Sequence, residues 1–145
     1  MIKLCTDDTY FLRICDKLNL PRLSKINLTK DRLYFIMVGS LITKDSFTYI
    51  SIDDDNQLNG CIILAVIQNI LGDKVLSLVF TWIDSHYPDL YKEFIDITTK
   101  MAQELKADKL CFQTNRNEKV IQRKMGKYGF NKAFSVYEKK IKDVI

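Results

Sequence analysis

The sequence is short of the residues that interrupt or staple a fold. Its 145 residues include only 2 Pro and 5 Gly, which excludes collagen-like and low-complexity chains. There is one histidine, His86, and the four cysteines, Cys5, Cys15, Cys61 and Cys111, form no C-x-x-C pair. A structural zinc site therefore lacks ligands, and no metal is expected. The longest apolar runs, residues 61–67 and 75–82, fall far short of the roughly 20 residues a membrane span needs, so no membrane partner is expected. Met1-Ile2-Lys3-Leu4 runs straight into acidic residues, without the charged and apolar regions of a secretory leader. Reduced thiols in a cytoplasmic setting are the expectation.

What is present is a chain with 47% hydrophobic and 28% charged residues, enough for one core without staples, and the sequence reads as a single domain over 1–145. Net charge is +4, but residues 107–145 hold 10 basic and 4 acidic side chains against 12 and 14 in the rest. Such a basic C-terminal third suits an acidic protein, a nucleotide phosphate or a nucleic acid, and equally a plain solvated lysine surface. Arg116, Arg123, Lys124 and Lys127 near Phe112 and Tyr128 would form its phosphate or RNA patch. The same residues fall on the outer side of an amphipathic helix, so a nucleic-acid partner ranks behind a protein one.

Periodicity predicts ten elements. A short strand at residues 2–5 leads to a helix capped by Thr6 with Asp7 and Asp8 in its first turn, burying Phe11, Ile14, Cys15 and Leu18 and ended by Pro21. Residues 29–42 fit a helix better than a strand, through Leu33, Ile36, Met37 and Leu41. Residues 47–52 alternate, Asp53-Asp54-Asp55-Asn56 forms a turn, and a long strand opens at Gly60, making a hairpin. Gly72-Asp73 turns into a third strand over 75–83, antiparallel to the second. The period then changes: Leu90, Phe94, Ile97, Met101 and Leu105 mark a helix. A strand at 109–114, a helix at 117–128 closed by Gly129, and a last strand at 134–141 complete the order β-α-α-β-β-β-α-β-α-β. The class is α/β (α+β), with a mixed, mostly antiparallel sheet flanked by helices.

That order and its local wording resemble the GNAT (GCN5-related N-acetyltransferase) fold over nearly the whole chain. Ile2 to Asp8 is similar to the family's opening strand and acid-capped helix. Asp54-Asp55-Asn56 through Asn59-Gly60 is similar to its hairpin. Lys124-Met125-Gly126-Lys127-Tyr128-Gly129-Phe130 with Val136-Tyr137-Glu138-Lys139 resembles its closing helix, Gly-Phe junction and final strand. Thr114-Asn115-Arg116 is similar to a strand end in small bacteriophage-encoded members, which implies a virion as the other possible location.

The resemblance implies an acetyl-CoA site: a splay after the fourth strand, where the backbone of Phe80, Thr81 and Trp82 would take the pantetheine arm, then a glycine-containing Q/R-x-x-G-x-G/A loop whose N–H groups hold the pyrophosphate. In this sequence that motif falls on His86-Tyr87-Pro88-Asp89-Leu90-Tyr91, and both glycines are absent. Asp89 sets a carboxylate where a pyrophosphate would lie, Tyr91 fills its space, and Pro88 removes a donor. The family's proton-donating tyrosine is replaced by Met125, with Tyr128 nearby at a packing position. His86 and Asp84, at the end of the central strand, are the candidate bases, and both also suit a helix start. Asp53, Asp54 and Asp55 diverge on a hairpin tip and read as a solvated turn rather than a metal site.

Two functions follow. One is a GNAT-like protein without acetyl-CoA chemistry and without cofactor, a structural or adaptor subunit contacting other proteins of an assembly through Trp82, Tyr87, Arg123, Lys124 and Lys127. The loss of both motifs favours it. The alternative is an active N-acetyltransferase, with Phe80, Thr81, Trp82, Tyr87, Leu90 and Tyr91 around acetyl-CoA and His86, Asp84 and Tyr128 as catalytic groups.

Overall fold

The computed structural model describes residues 1–18, 28–114, 117–139 and 141. The chain reads as one continuous domain in sequence and divides into two compact units, Met1–Gln113 and Thr114–Ile145.

The first unit is built on β1 (Ile2–Leu4), α1 (Phe11–Lys17), α2 (Lys30–Ile42), β2 (Ser46–Ile52), β3 (Leu58–Gln68), β4 (Lys74–Ile83), α3 (Leu90–Glu104) and β5 (Lys109–Phe112). Its five strands lie in the order β1-β2-β3-β4-β5. Every pairing is antiparallel except β4 with β5. The expected mixed, mostly antiparallel sheet flanked by helices is thus what forms.

Alternation along the strands assigns each face. Phe11, Ile14, Cys15 and Leu18 of the first helical segment join Leu33 and Met37 of α2 against Ile50, Cys61, Ile63 and Trp82 in one buried cluster. Gly60 looks to the opposite face, where a Cβ would stand 2.7 Å from Leu90 Cδ2 and 2.9 Å from Phe94 Cε2 of α3. In β4, Ile63 pairs with Phe80 but Leu64 pairs with Leu78, so Val79 is an extra, bulged residue.

Several boundaries differ from the sequence expectation. Thr6, Asp7 and Asp8 do not open α1. The Asp7 carboxylate instead accepts from Thr9 N (3.0 Å) and Asp8 O from Phe11 N (3.1 Å), a turn that delays the helix until its apolar stripe begins. Pro21 lies outside the described residues. Residues 30–42 are helical, with Thr29 Oγ1 accepting from Arg32 N as a side-chain cap. The hairpin turn has the predicted shape, Asn56 taking a positive φ of 60°, but β3 opens at Leu58, two residues before Gly60. On α3 the buried seam is Leu90, Phe94, Ile95, Thr98 and Ala102. Ile97, Met101 and Leu105 are only half-buried, because the seam runs through every fourth residue from Leu90 to Ala102, with Ile95 beside it, and leaves them at its flank. β5 stops at Phe112, short of 114, and Asn115 and Arg116 lie outside the described residues.

In the second unit α4 (Glu118–Met125) is capped by Asn117, whose side chain accepts from Lys119 N (2.9 Å). A 3-10 turn, Gly126–Tyr128, follows, and Gly129 closes it at φ 88°. That is the left-handed conformation expected of a glycine past a helix end. The strand expected at 134–141 is the clearest correction: residues 131–139 form none. Phe134, Val136 and Tyr137 are 69%, 61% and 93% exposed, so the alternation there marks no covered face, and a strand without a partner leaves its backbone to water.

Candidate functional site

β4 carries the site region because it outruns its parallel neighbour. Pairing with β5 covers only Val75 to Leu78, whereas β4 continues to Ile83 and stays paired to β3 up to Gly60. Among the described residues, 79–83 therefore have a strand on one side only. The resemblance implies a splay at this place, and the one-sided stretch begins at the Val79 bulge.

The loop from β4 to α3 is folded in on itself. Asp84 N donates to Asn59 O (2.9 Å), Tyr87 N to Asp84 O (3.0 Å), Leu90 N to Tyr87 O (3.1 Å) and Glu93 N to Asp89 O (3.4 Å). His86 N donates to Asp84 Oδ1 (3.0 Å), and Pro88 has no N–H to offer. The turn is short because Asp84 acts as an Asx residue, its side chain taking the donor two residues on. Asp89 sits at the N-cap with helical dihedrals and makes no side-chain cap bond.

Asp84 and His86 form the one chemically suggestive pair. His86 Nδ1 lies 2.8 Å from Asp84 Oδ1, with the imidazole 85% and the carboxylate 26% exposed. A carboxylate accepts only, so a neutral ring here holds its proton on Nδ1 and turns the Nε2 lone pair outward. The His86 backbone N–H, then its ring, hold the Asp84 carboxyl below the usual range.

Tyr87 is tied down. Its hydroxyl donates to Asp53 Oδ2 (3.3 Å) on the β2–β3 turn. Asp53 Oδ1 also accepts from Asp55 N and Gln57 N, both at 2.9 Å, and these turn N–H groups, Gln57 first, lower the Asp53 pKa. Asp53 is thereby committed to its own turn and to Tyr87. Among the described residues, no group of three or more His, Cys, Asp or Glu could hold a metal. The Asp53–Tyr87 link was missed in sequence: the partners are 34 positions apart, and only the hairpin brings them together.

The other candidates scatter. Trp82 is 4% exposed and belongs to the core with α1 and α2, so its indole fills the interior instead of anchoring a surface, the bulge having turned it inward. Leu90 is 5% exposed and its tip meets Gly60. Phe80, Thr81 and Tyr91 are half-buried, and Tyr87 is 38% exposed. Tyr128, Arg123, Lys124 and Lys127 all lie in the second unit. There Lys127 Nζ stands 5.1 Å over the Tyr128 ring, and Arg123 and Lys124 occupy the last turn of α4, where cations suit the helix dipole.

No protein-family model matches the chain, and no curated protein matches it in sequence. Solved structures do match its shape. A probable acetyltransferase is 17% identical, with 99% of each chain covered and a TM-score of 0.76. The aminoglycoside acetyltransferase AAC(6')-Iy, in complex with a CoA-linked acetylneamine bisubstrate analogue, is 11% identical over 99% of this chain and 98% of its own, with a TM-score of 0.77. A GNAT family acetyltransferase of Staphylococcus aureus is 11% identical over 97% and 98%, with a TM-score of 0.70. With the sheet, the splayed fourth strand and the helix that follows it, these likenesses establish that the chain has the GNAT acetyltransferase fold.

Proposed function

We propose that this chain is a GNAT-fold protein that does not use acetyl-CoA and serves as a structural or adaptor subunit among other proteins. The observation that carries this reading is the inward use of donors in the loop before α3. A pyrophosphate at a helix start is held by backbone N–H groups that have no other partner. Here those of His86, Tyr87 and Leu90 are already bonded within the loop, and Pro88 has none. The local charge also has the wrong sign, with Asp84, Asp89 and Glu93 within one short stretch and like charges repelling most where water is excluded. The residues present do not fit a pyrophosphate. The contact surface in this reading is the basic side of α4 and of the turn after it, Arg123, Lys124 and Lys127, with an acidic protein surface as its counterpart.

A second reading, an active N-acetyltransferase, draws on one observation of its own. The Asp84–His86 pair offers an outward Nε2 lone pair beside the splayed edge of β4, the place for a base that takes a proton from an attacking amine.

Isothermal titration with acetyl-CoA separates the two. No heat of binding at millimolar cofactor is expected; saturable binding in the micromolar range would overturn the adaptor reading and turn the search to amine substrates.

A further inference from the structure

α2 is apolar on both sides and covered on one. Leu33 and Met37 face the core. On the opposite side, at helical spacings of three, four and seven, stand Phe35, Gly39 and Ile42, with Phe35 72% and Ile42 80% exposed. A helix with a solvated outer side normally carries charge there. Gly39 has nothing within 4 Å of where a Cβ would stand, so the two large side chains flank an open notch.

We propose that this face binds a second copy of the chain, the two α2 helices packing antiparallel about a two-fold axis between Val38 and Gly39. The pattern is its own complement. Phe35 and Ile42 are equally far from that axis, so each Phe35 meets Ile42 of the second copy, and the two Gly39 notches meet at the axis. A two-fold interface requires this self-matching, and the missing Cβ allows the helix axes to approach closely.

Charge selects the antiparallel direction. Asp31 and Arg32 mark the N-terminal end of α2, Lys44 and Asp45 follow its C-terminal end, and all four are exposed. Antiparallel packing sets Arg32 toward Asp45, twice over by symmetry, and opposes the helix dipoles favourably. Parallel packing would set like charge against like. The ion pairs lie at the rim, where they govern partner orientation more than affinity.

Sedimentation velocity over a concentration series tests this. The wild-type protein is expected to move from the 17.0 kDa chain mass to twice that value. The double variant Phe35→Ser/Ile42→Ser should stay monomeric with an unchanged circular dichroism spectrum, since both side chains already face water. Arg32→Asp should weaken the dimer and Arg32→Asp/Asp45→Arg should restore it. A wild-type monomer at every concentration overturns the proposal, as does a dimer indifferent to the Phe35/Ile42 change or a charge swap that fails to rescue.

Discussion

Gly60 is the point at which β3 meets the start of α3, and replacing it with alanine tests how tightly that junction is set. The new Cβ would stand 2.7 Å from Leu90 Cδ2, 2.9 Å from Phe94 Cε2 and 3.3 Å from Phe94 Cζ. Ordinary contact begins near 3.4 Å, so the helix start must move or two side chains must leave their rotamers. Overpacking of this kind costs about 1–3 kcal/mol. Alanine also narrows the unfolded ensemble, an offset of about 0.4–1 kcal/mol in its favour. The net expectation is a loss of about 1–2 kcal/mol, which at this chain length lowers the thermal midpoint by about 2–4 °C per kcal/mol. Urea denaturation of Gly60→Ala, Leu90→Ala and the double variant supplies the coupling. Leu90→Ala alone should cost about 2–5 kcal/mol, and the double variant less than the sum, because the shortened side chain makes room for the methyl group. A Gly60→Ala protein as stable as wild type, or fully additive losses, would refute the close approach.

Other expectations follow from single contacts. Ser40 Oγ lies 2.8 Å from the fully buried Thr48 Oγ1, so Ser40→Ala should cost about 1–3 kcal/mol by stranding that hydroxyl, and Ser40→Ala/Thr48→Val should recover most of it in denaturant melts. Thr29→Ala removes the α2 cap and should cost about 1 kcal/mol. Bonds from Lys109 and Asn69 lower the Asp73 pKa, and the Asp73 partnership raises that of Lys109. Stability from this pair is present above the unfolded carboxyl value of 3.8 and lost as pH falls through the lower folded one. At the alkaline end it is lost as pH rises past the unfolded amine value of 10.5 and through the raised folded one. Urea midpoints against pH should show both limbs, and Asp73→Asn should flatten them. Burial raises the thiol pKa of Cys61 and of Cys15, and pushes that of Cys5 up to about 11. A thiolate-selective reagent at neutral pH should therefore label these three only after unfolding.

The sequence disclosed those parts of the fold whose signal is local. The hairpin came from Asp53–Asn56 and Gly72–Asp73, the first helix face from Phe11, Ile14, Cys15 and Leu18, and the helix end from Gly129. It misled where a pattern needed a partner elsewhere in the chain. The alternation after Phe134 reads as a strand, yet nothing local states whether an edge exists to receive it. In β4 the near-continuous apolar run 75–83 hides the bulge, so the inward turn of Trp82 was not legible. The sequence displays Asp89 and Tyr91 where the resemblance implies glycines, but it does not display the ties of this loop, since Tyr87 reaches Asp53 only through the folded hairpin.

The bulge at Val79 works as a frameshift within the central strand. Before it, even-numbered residues such as Leu76 and Leu78 lie on the same face as Leu64, Ile62 and Gly60, toward α3; after it, Phe80 and Trp82 share the face of Ile63 and Cys61, toward α1 and α2. One strand thus serves two cores in succession, and a single extra residue decides which core receives each half. Flattening the bulge with Val79 kept would rewrite β4: plain alternation from Leu78 would direct Phe80 and Trp82 at the helix that packs on Gly60, and the cluster around Cys61 would lose its indole. Deleting Val79 would instead set Phe80 next to Leu78 and leave Leu78 opposite Leu64 and Phe80 opposite Ile63, on the faces they now use. Substitutions at Val79 are tolerable on this account, since it is 49% exposed, and the pairing register survives its deletion.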